Sequence, residues 1–151
     1  MSTRPKSSRS RAASKPLPGE VFRRVRKAHA TELAEDYVEA IAETIEREGE
    51  CRVKHLAQNF GVTHVTVTRA VSRLVEQGLA TTERHKPIEL TAAGEKLARE
   101  SKRRHDIVLA FLRALGVSER VAEMDAEGIE HHISPETLEK LRAFAEERSA
   151  R

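Results

Sequence analysis

CRVKHLAQNFGVTHVTVTRAVSRLVEQG, residues Cys51–Gly78, is the stretch that decides the fold. Val53, Leu56, Ala57 and Phe60 recur at the spacing of one face of a short helix. Gly61-Val62 supplies a turn. Thr63 is placed to cap a second helix, its side-chain oxygen accepting a backbone N–H. That second helix turns Val67, Val71 and Leu74 inward and His64, Val65, Thr66, Thr68, Arg69 and Arg73 outward. Ala57 is small and lies four residues before Gly61, so two helices can cross closely there. This is a helix-turn-helix pattern, and its outward set suits a DNA major groove. Thr and Val match a thymine methyl or a base edge, and Arg69 matches guanine or phosphate. A generic amphipathic helix pair is the competing reading. The small residue, the turn glycine and the Thr/Arg-bearing helix occurring together weigh against it.

Downstream, Leu79–Glu83 and Pro87–Leu90 read as two short strands around Arg84-His85-Lys86-Pro87. They form a β-wing whose basic tip, Arg84 and Lys86, is placed to touch phosphate; an ordinary hairpin is the alternative. Thr91 starts a helix through Leu115, apolar at Leu97 and Ala98 and again at Ile107, Val108, Phe111, Leu112 and Leu115. The polar stretch from Arg99 to Asp106 suggests a span between two packing units. His105 ends it, where a lone histidine is ordinarily just solvated or packed. Ser118 is expected to cap the following helix, and Ser134-Pro135 marks the start of the last one, lined by Leu138, Leu141 and Phe144. Residues 107–146 thus form a helical unit too small to stand alone, which would complete its core by dimerising.

Upstream, a helix from about Glu20 to Glu48 carries an apolar stripe of Ala34, Tyr37, Val38, Ile41 and Ile45. Asp36 and Glu39 lie off that stripe, so they are either wet or directed at another unit. Residues 1–19 hold Arg4, Lys6, Arg9, Arg11 and Lys15 and no acid, and read as a disordered basic arm, a phosphate strap or a solubilising tail. The fold class is mostly α with a small β-wing. Residues 20–98 form an N-terminal winged helix-turn-helix domain, 99–146 a C-terminal helical dimerisation domain, and 147–151 a tail.

Composition narrows the classes. Aromatics are 3% and Trp is absent, so the core is aliphatic; 34% charged residues and a net charge of +3 suit exposed helices. A single cysteine, Cys51, excludes an internal disulfide framework. No run is long and apolar enough for a membrane span, and the basic N-terminus lacks the apolar segment of a secretory signal, so a cytoplasmic protein is expected.

Asp125-Ala-Glu-Gly-Ile-Glu-His-His132 places Glu127, Glu130 and His131 at i, i+3 and i+4, one face of a helix. Two carboxylates and an imidazole make most of a divalent-metal site. Oxygen-rich ligands without thiolate favour Mn²⁺, with Fe²⁺ close behind. A solvated Glu-rich face is the plain alternative. His132 points elsewhere. A metallohydrolase is a remote reading, since no His-Glu-x-x-His pattern, nucleophile or Gly-rich phosphate loop accompanies the cluster. A winged-helix regulator responding to an organic ligand, or to an oxidant through Cys51, is another.

The acidic pair Asp36-Tyr-Val-Glu39, the winged helix-turn-helix, Leu90-Thr-Ala-Ala-Gly94, Arg103-Arg-His105 and Ala126-Glu-Gly-Ile-Glu-His-His132 follow one another in an order that resembles the diphtheria toxin repressor family, in its manganese-responsive branch. The likeness covers about residues 33–142. It implies that Asp36, Glu39, His105, Glu127, Glu130 and His131 are metal ligands around two Mn²⁺ ions per subunit, with Fe²⁺ as the alternative. It also implies a homodimer on palindromic double-stranded operator DNA, with metal tying the two domains together, no enzymatic activity, and repression of manganese-uptake genes.

Overall fold

The computed structural model describes residues 15–150, so most of the expected basic arm lies outside the described residues. α1 (Pro18–Glu48) starts with proline at its first position, and the Leu17 N–H donates to Glu20 Oε2 at 2.9 Å. α2 (Val53–Phe60) and α3 (His64–Glu76) are the helix-turn-helix. The chain turns between them at Gly61 with φ 63°, a left-handed conformation that a Cβ would strain. Thr63 caps α3 as expected, accepting the Thr66 N–H at 3.2 Å.

The strands are shorter than the sequence suggests. β1 (Ala80–Thr81) pairs antiparallel with β2 (Glu89–Leu90) in the register Ala80↔Leu90, Thr81↔Glu89. The wing tip, residues 82–86, is exposed, with His85 left-handed at φ 66°. Ile88 N–H donates to the Cys51 carbonyl at 2.7 Å, so the wing is anchored to the residue pair that leads into α2.

α4 (Ala92–Ala114) is one continuous helix shared by two cores. Its start contributes Ala98 to a cluster of Tyr37, Val38, Ile41, Leu56, Val67, Val71, Leu74 and Ile88. Its end contributes Val108, Leu109 and Leu112 to a second cluster with Ala122 and Ala126, flanked by Phe111, Ile133, Leu138 and Leu141. The polar segment between them is the expected span; only Ser101 within it is fully buried. α5 (Glu119–Ile129), a 3₁₀ turn (Glu130–His132) and α6 (Pro135–Ser149) complete the chain. Ser134 caps α6, accepting the Thr137 N–H at 3.2 Å. Ser118 precedes α5 without a side-chain capping bond, contrary to expectation.

Thr91 caps α4 by accepting the Gly94 N–H at 3.1 Å, and its hydroxyl donates to the Gly78 carbonyl at 2.6 Å. Gly94 packs directly on the backbone after α3, where an added Cβ would run into the Leu79 carbonyl. Gly94→Ala should therefore lower stability by about 1–3 kcal/mol in urea unfolding, the usual cost of overpacking.

Candidate metal centre and nucleic-acid interface

α1, α4 and α5 enclose a polar cleft of about 660 Å³ lined by Asp36, Glu39, Glu43, Lys102, His105, Glu123 and Glu127. Asp36 and Glu39 are thus directed at the second unit rather than merely wet. Four of the six candidate ligands, Asp36, Glu39, His105 and Glu127, line this cleft, although they come from sequence positions far apart; Glu130 and His131 lie behind it, in contact with His105 and Asp36 respectively.

The expected single face of Glu127, Glu130 and His131 is divided. α5 ends at Ile129 and the chain tightens into the 3₁₀ turn, which rotates about 120° per residue instead of 100°. Ile133 is extended, as is Ser134 before Pro135, so the helix cannot continue. Glu127 and Glu130 consequently meet His105, with Nδ1 2.7 Å from Glu130 Oε2 and 3.5 Å from Glu127 Oε1. His131 instead faces α1: its Nδ1 lies 2.7 Å from Glu35 Oε2 and its Nε2 3.1 Å from Asp36 Oδ1. Glu130 joins the two sets, because its other oxygen lies 3.5 Å from His131 Nε2. The Glu130 and His131 side chains are each only 2% exposed.

Electrostatics follow from this enclosure. Burial raises Glu130 to about 7 against the pull of His105 and His131. Hydrogen bonds to Asp36 and then Glu35 raise His131 to about 10 despite burial. Glu39 is raised by burial, against the pull of the Ser101 hydroxyl, and further by Glu43 and Glu127. Burial would lower His105, but Glu130 and Glu127 outweigh it and hold it above its ordinary value. The donor set has four carboxylates and two imidazoles, a chemistry that fits a hard divalent cation. The donor atoms of His105, Glu127 and Glu130 lie within 4.8 Å of one another.

On α3, His64, Val65, Thr66, Thr68, Arg69 and Arg73 are all exposed, while Val67, Ala70, Val71 and Leu74 are buried. Two of the hydroxyls have local partners: Thr68 donates to the His64 carbonyl at 2.8 Å, and Thr66 Oγ1 lies 3.0 Å from Thr63 Oγ1. Arg84 and Lys86 are exposed on the wing, Lys86 paired with Glu83 at 2.5 Å. Arg52 donates to the His85 carbonyl at 3.1 Å and so supports the wing tip from below. Cys51 is fully buried and its thiol is pushed up to about 11 by burial, which removes the oxidant-sensing alternative its ground.

Residues 29–88 match the N-terminal DNA-binding domain of the iron-dependent repressors, and residues 91–149 match their metal-binding and dimerisation domain. The chain is 47% identical over 132 residues to the transcriptional regulator MntR of Escherichia coli O157:H7, covering 87% of this chain and 85% of that one. The chain belongs to the diphtheria toxin repressor family of iron-dependent repressors. MntR of Salmonella typhimurium LT2 is 46% identical over 128 residues, 85% of this chain and 82% of that one. A solved manganese-dependent transcriptional repressor in complex with manganese superposes with TM-score 0.67 at 30% identity, over 75% of this chain. The chain spans about half, 52%, of that solved relative's length. A DNA-binding domain and a metal-binding, dimerising domain of a metal-dependent repressor family account for both halves of the chain.

Within this family member, sequence reasoning missed Glu35 and Glu123. Glu35 is buried against His131, and Arg104 Nη2 sits 2.8 Å from its Oε2, off the line of its N–H. Burial would raise Glu35, but His131 and Arg104 together hold it below the ordinary carboxylate value. A carboxylate on one nitrogen of a candidate ligand imidazole fixes the ring, which the 96-residue separation hides from local spacing. Glu123 Oε2 lies 3.5 Å from His105 Nε2, one helical turn before Glu127; that i, i+4 spacing was the available signal.

Glu35→Ala should weaken Mn²⁺ affinity about 10–100-fold by equilibrium dialysis, the usual effect of removing such a support. The pH dependence has a definite sign. A cation can use the His131 lone pair only after its proton leaves, and that proton is held up to about pH 10. Mn²⁺ affinity should therefore rise with pH between 7 and 10. Below about 7 the rise should steepen, as Glu130 gives up a proton too. Calorimetry in buffers of different ionisation enthalpy would count the released protons.

Proposed function

We propose that this chain is a Mn²⁺-responsive transcriptional repressor of manganese-uptake genes, acting in the cytoplasm as a homodimer on palindromic operator DNA, and that it is not an enzyme. Glu130 carries the proposal. Its two oxygens stand between His105 of α4 and His131, which is directed at α1. That arrangement supports a centre in which Asp36, Glu39, His105, Glu127, Glu130 and His131 would hold up to two divalent ions. The family's manganese-named relatives support the choice of metal.

Bound cations would supply positive charge among four carboxylates that otherwise repel one another. Asp36 and Glu39 would hold the ions from α1, His105 from α4, Glu127 from α5, and Glu130 and His131 from the 3₁₀ turn. Their joint engagement fixes the angle between residues 20–98, which read DNA, and residues 99–146, which dimerise. Exposed Leu115, Val121 and Met124 on the second unit offer apolar surface for a partner copy. The two α3 helices then sit about one duplex turn, or a multiple of it, apart, where His64, Val65, Thr66, Thr68, Arg69 and Arg73 meet base edges and phosphates. Arg84 and Lys86 add phosphate contacts from the wing. By linkage, operator DNA tightens metal binding by the same factor.

Fluorescence anisotropy on operator DNA, titrated separately with Mn²⁺, Fe²⁺ and Zn²⁺ under chelator control, tests this reading. Glu130→Ala should lose Mn²⁺-dependent operator binding while remaining a dimer. Normal operator binding by Glu130→Ala in chelator would refute the coupling. Arg69→Ala should weaken operator binding about 10–100-fold with unchanged Mn²⁺ affinity. Each phosphate contact removed should lower the log–log salt slope by about 0.9.

A further inference from the structure

His29, Glu32 and His132 form a cluster of their own, apart from the cleft. His29 and Glu32 are one turn apart on α1, with Nδ1 3.0 Å from Glu32 Oε2. His132 reaches the same oxygen from the 3₁₀ turn, its Nε2 at 3.9 Å. The two rings meet edge to face with centroids 4.8 Å apart. The position of His132 is fixed from below, since Arg24 donates to its carbonyl at 3.1 Å. The tightened turn sends consecutive imidazoles to different partners: His131 to Glu35 and Asp36, His132 to Glu32 and His29.

We propose that His29, Glu32 and His132 are a separate binding site for a borderline divalent cation, of which Zn²⁺ is the type. Two imidazoles and one carboxylate are the donor set of three-ligand zinc sites, with water in the fourth position. The donor atoms lie within 4.8 Å of one another. A tetrahedral zinc with bonds near 2.0–2.1 Å needs donors about 3.4 Å apart, so small side-chain rotations close the set. The nitrogen-rich set also differs from the oxygen-rich cleft. Among first-row divalent ions, imidazole donors favour zinc over manganese, so the two places sort cations differently. Both clusters draw one histidine from the same 3₁₀ turn and a carboxylate from α1. An ion held by His29, Glu32 and His132 braces the α1–turn junction one helical turn before Asp36, independently of Mn²⁺.

The test is the number of Zn²⁺ ions bound per full-length chain, measured by equilibrium dialysis and elemental analysis at fixed free Zn²⁺. His29→Gln alters an exposed side chain and should fold normally. It should bind one Zn²⁺ fewer than the parent while its Mn²⁺ count is unchanged. His132→Gln should lose the same ion. Co²⁺ loaded into the parent should show intense tetrahedral visible bands that both variants lack. Glu130→Ala, which disables the cleft, should keep both the bands and this Zn²⁺, so failure here is distinguishable from failure of the manganese reading. Equal Zn²⁺ counts in the parent, His29→Gln and His132→Gln would overturn the site and leave only a histidine–carboxylate ion pair.

Discussion

A buried carboxylate placed between two histidines is the constraint around which this chain is organised. Glu130 is almost wholly enclosed, yet it touches an imidazole on each of its oxygens. An isolated carboxylate in such a place would be costly, and here burial raises its proton affinity even with both imidazoles nearby. The surrounding elements exist in positions that answer this demand: α4 brings His105, the 3₁₀ turn brings His131, and α1 brings the acids that hold His131 in turn. Protons partly balance the carboxylates when the side chains are considered by themselves. A dication would balance them more fully and would demand a particular geometry, which is the physical basis of the proposed coupling.

The arrangement of DNA-reading residues depends on a different economy. α3 buries one face of small and branched aliphatics and leaves six candidate contacts on the other. None of those six belongs to the metal cleft. The candidate DNA contacts and the candidate metal ligands thus share no side chain, and α1 and α4 pack against both groups of elements. The wing is held by a backbone hydrogen bond from Ile88 to Cys51 and by Arg52 below its tip, so its basic residues are presented by a supported turn despite the very short strands.

Much of this was legible before any coordinates. The turn glycine, the Thr63 cap and the 3.6-residue stripes locate α1 to α4, because helix periodicity and capping are local. The six candidate ligands are named by the family likeness; spacing by itself leaves Asp36, Glu39 and His105 ordinary. What local spacing misjudged was the direction of His131. The i, i+3, i+4 spacing implies a straight helix, whereas the extended residues before Pro135 accompany a tighter last turn. Glu35 escaped notice because its role depends on a contact with His131 across the fold. The strands were overestimated because alternation in Leu79–Glu83 says nothing about whether an exposed turn finds partners for its backbone.

The continuity of α4 has a mechanical meaning. One uninterrupted rod of 23 residues runs from the wing to the dimerising core, without a flexible joint at which strain could dissipate. Such a rod is about 35 Å long, so a tilt of about 5° at one end moves the other by about 3 Å. That displacement is close to the spacing of successive nucleotides along a strand, about 3.4 Å. A small change of angle at one end of α4 is therefore multiplied by its length into a displacement of nearly one base step at the other.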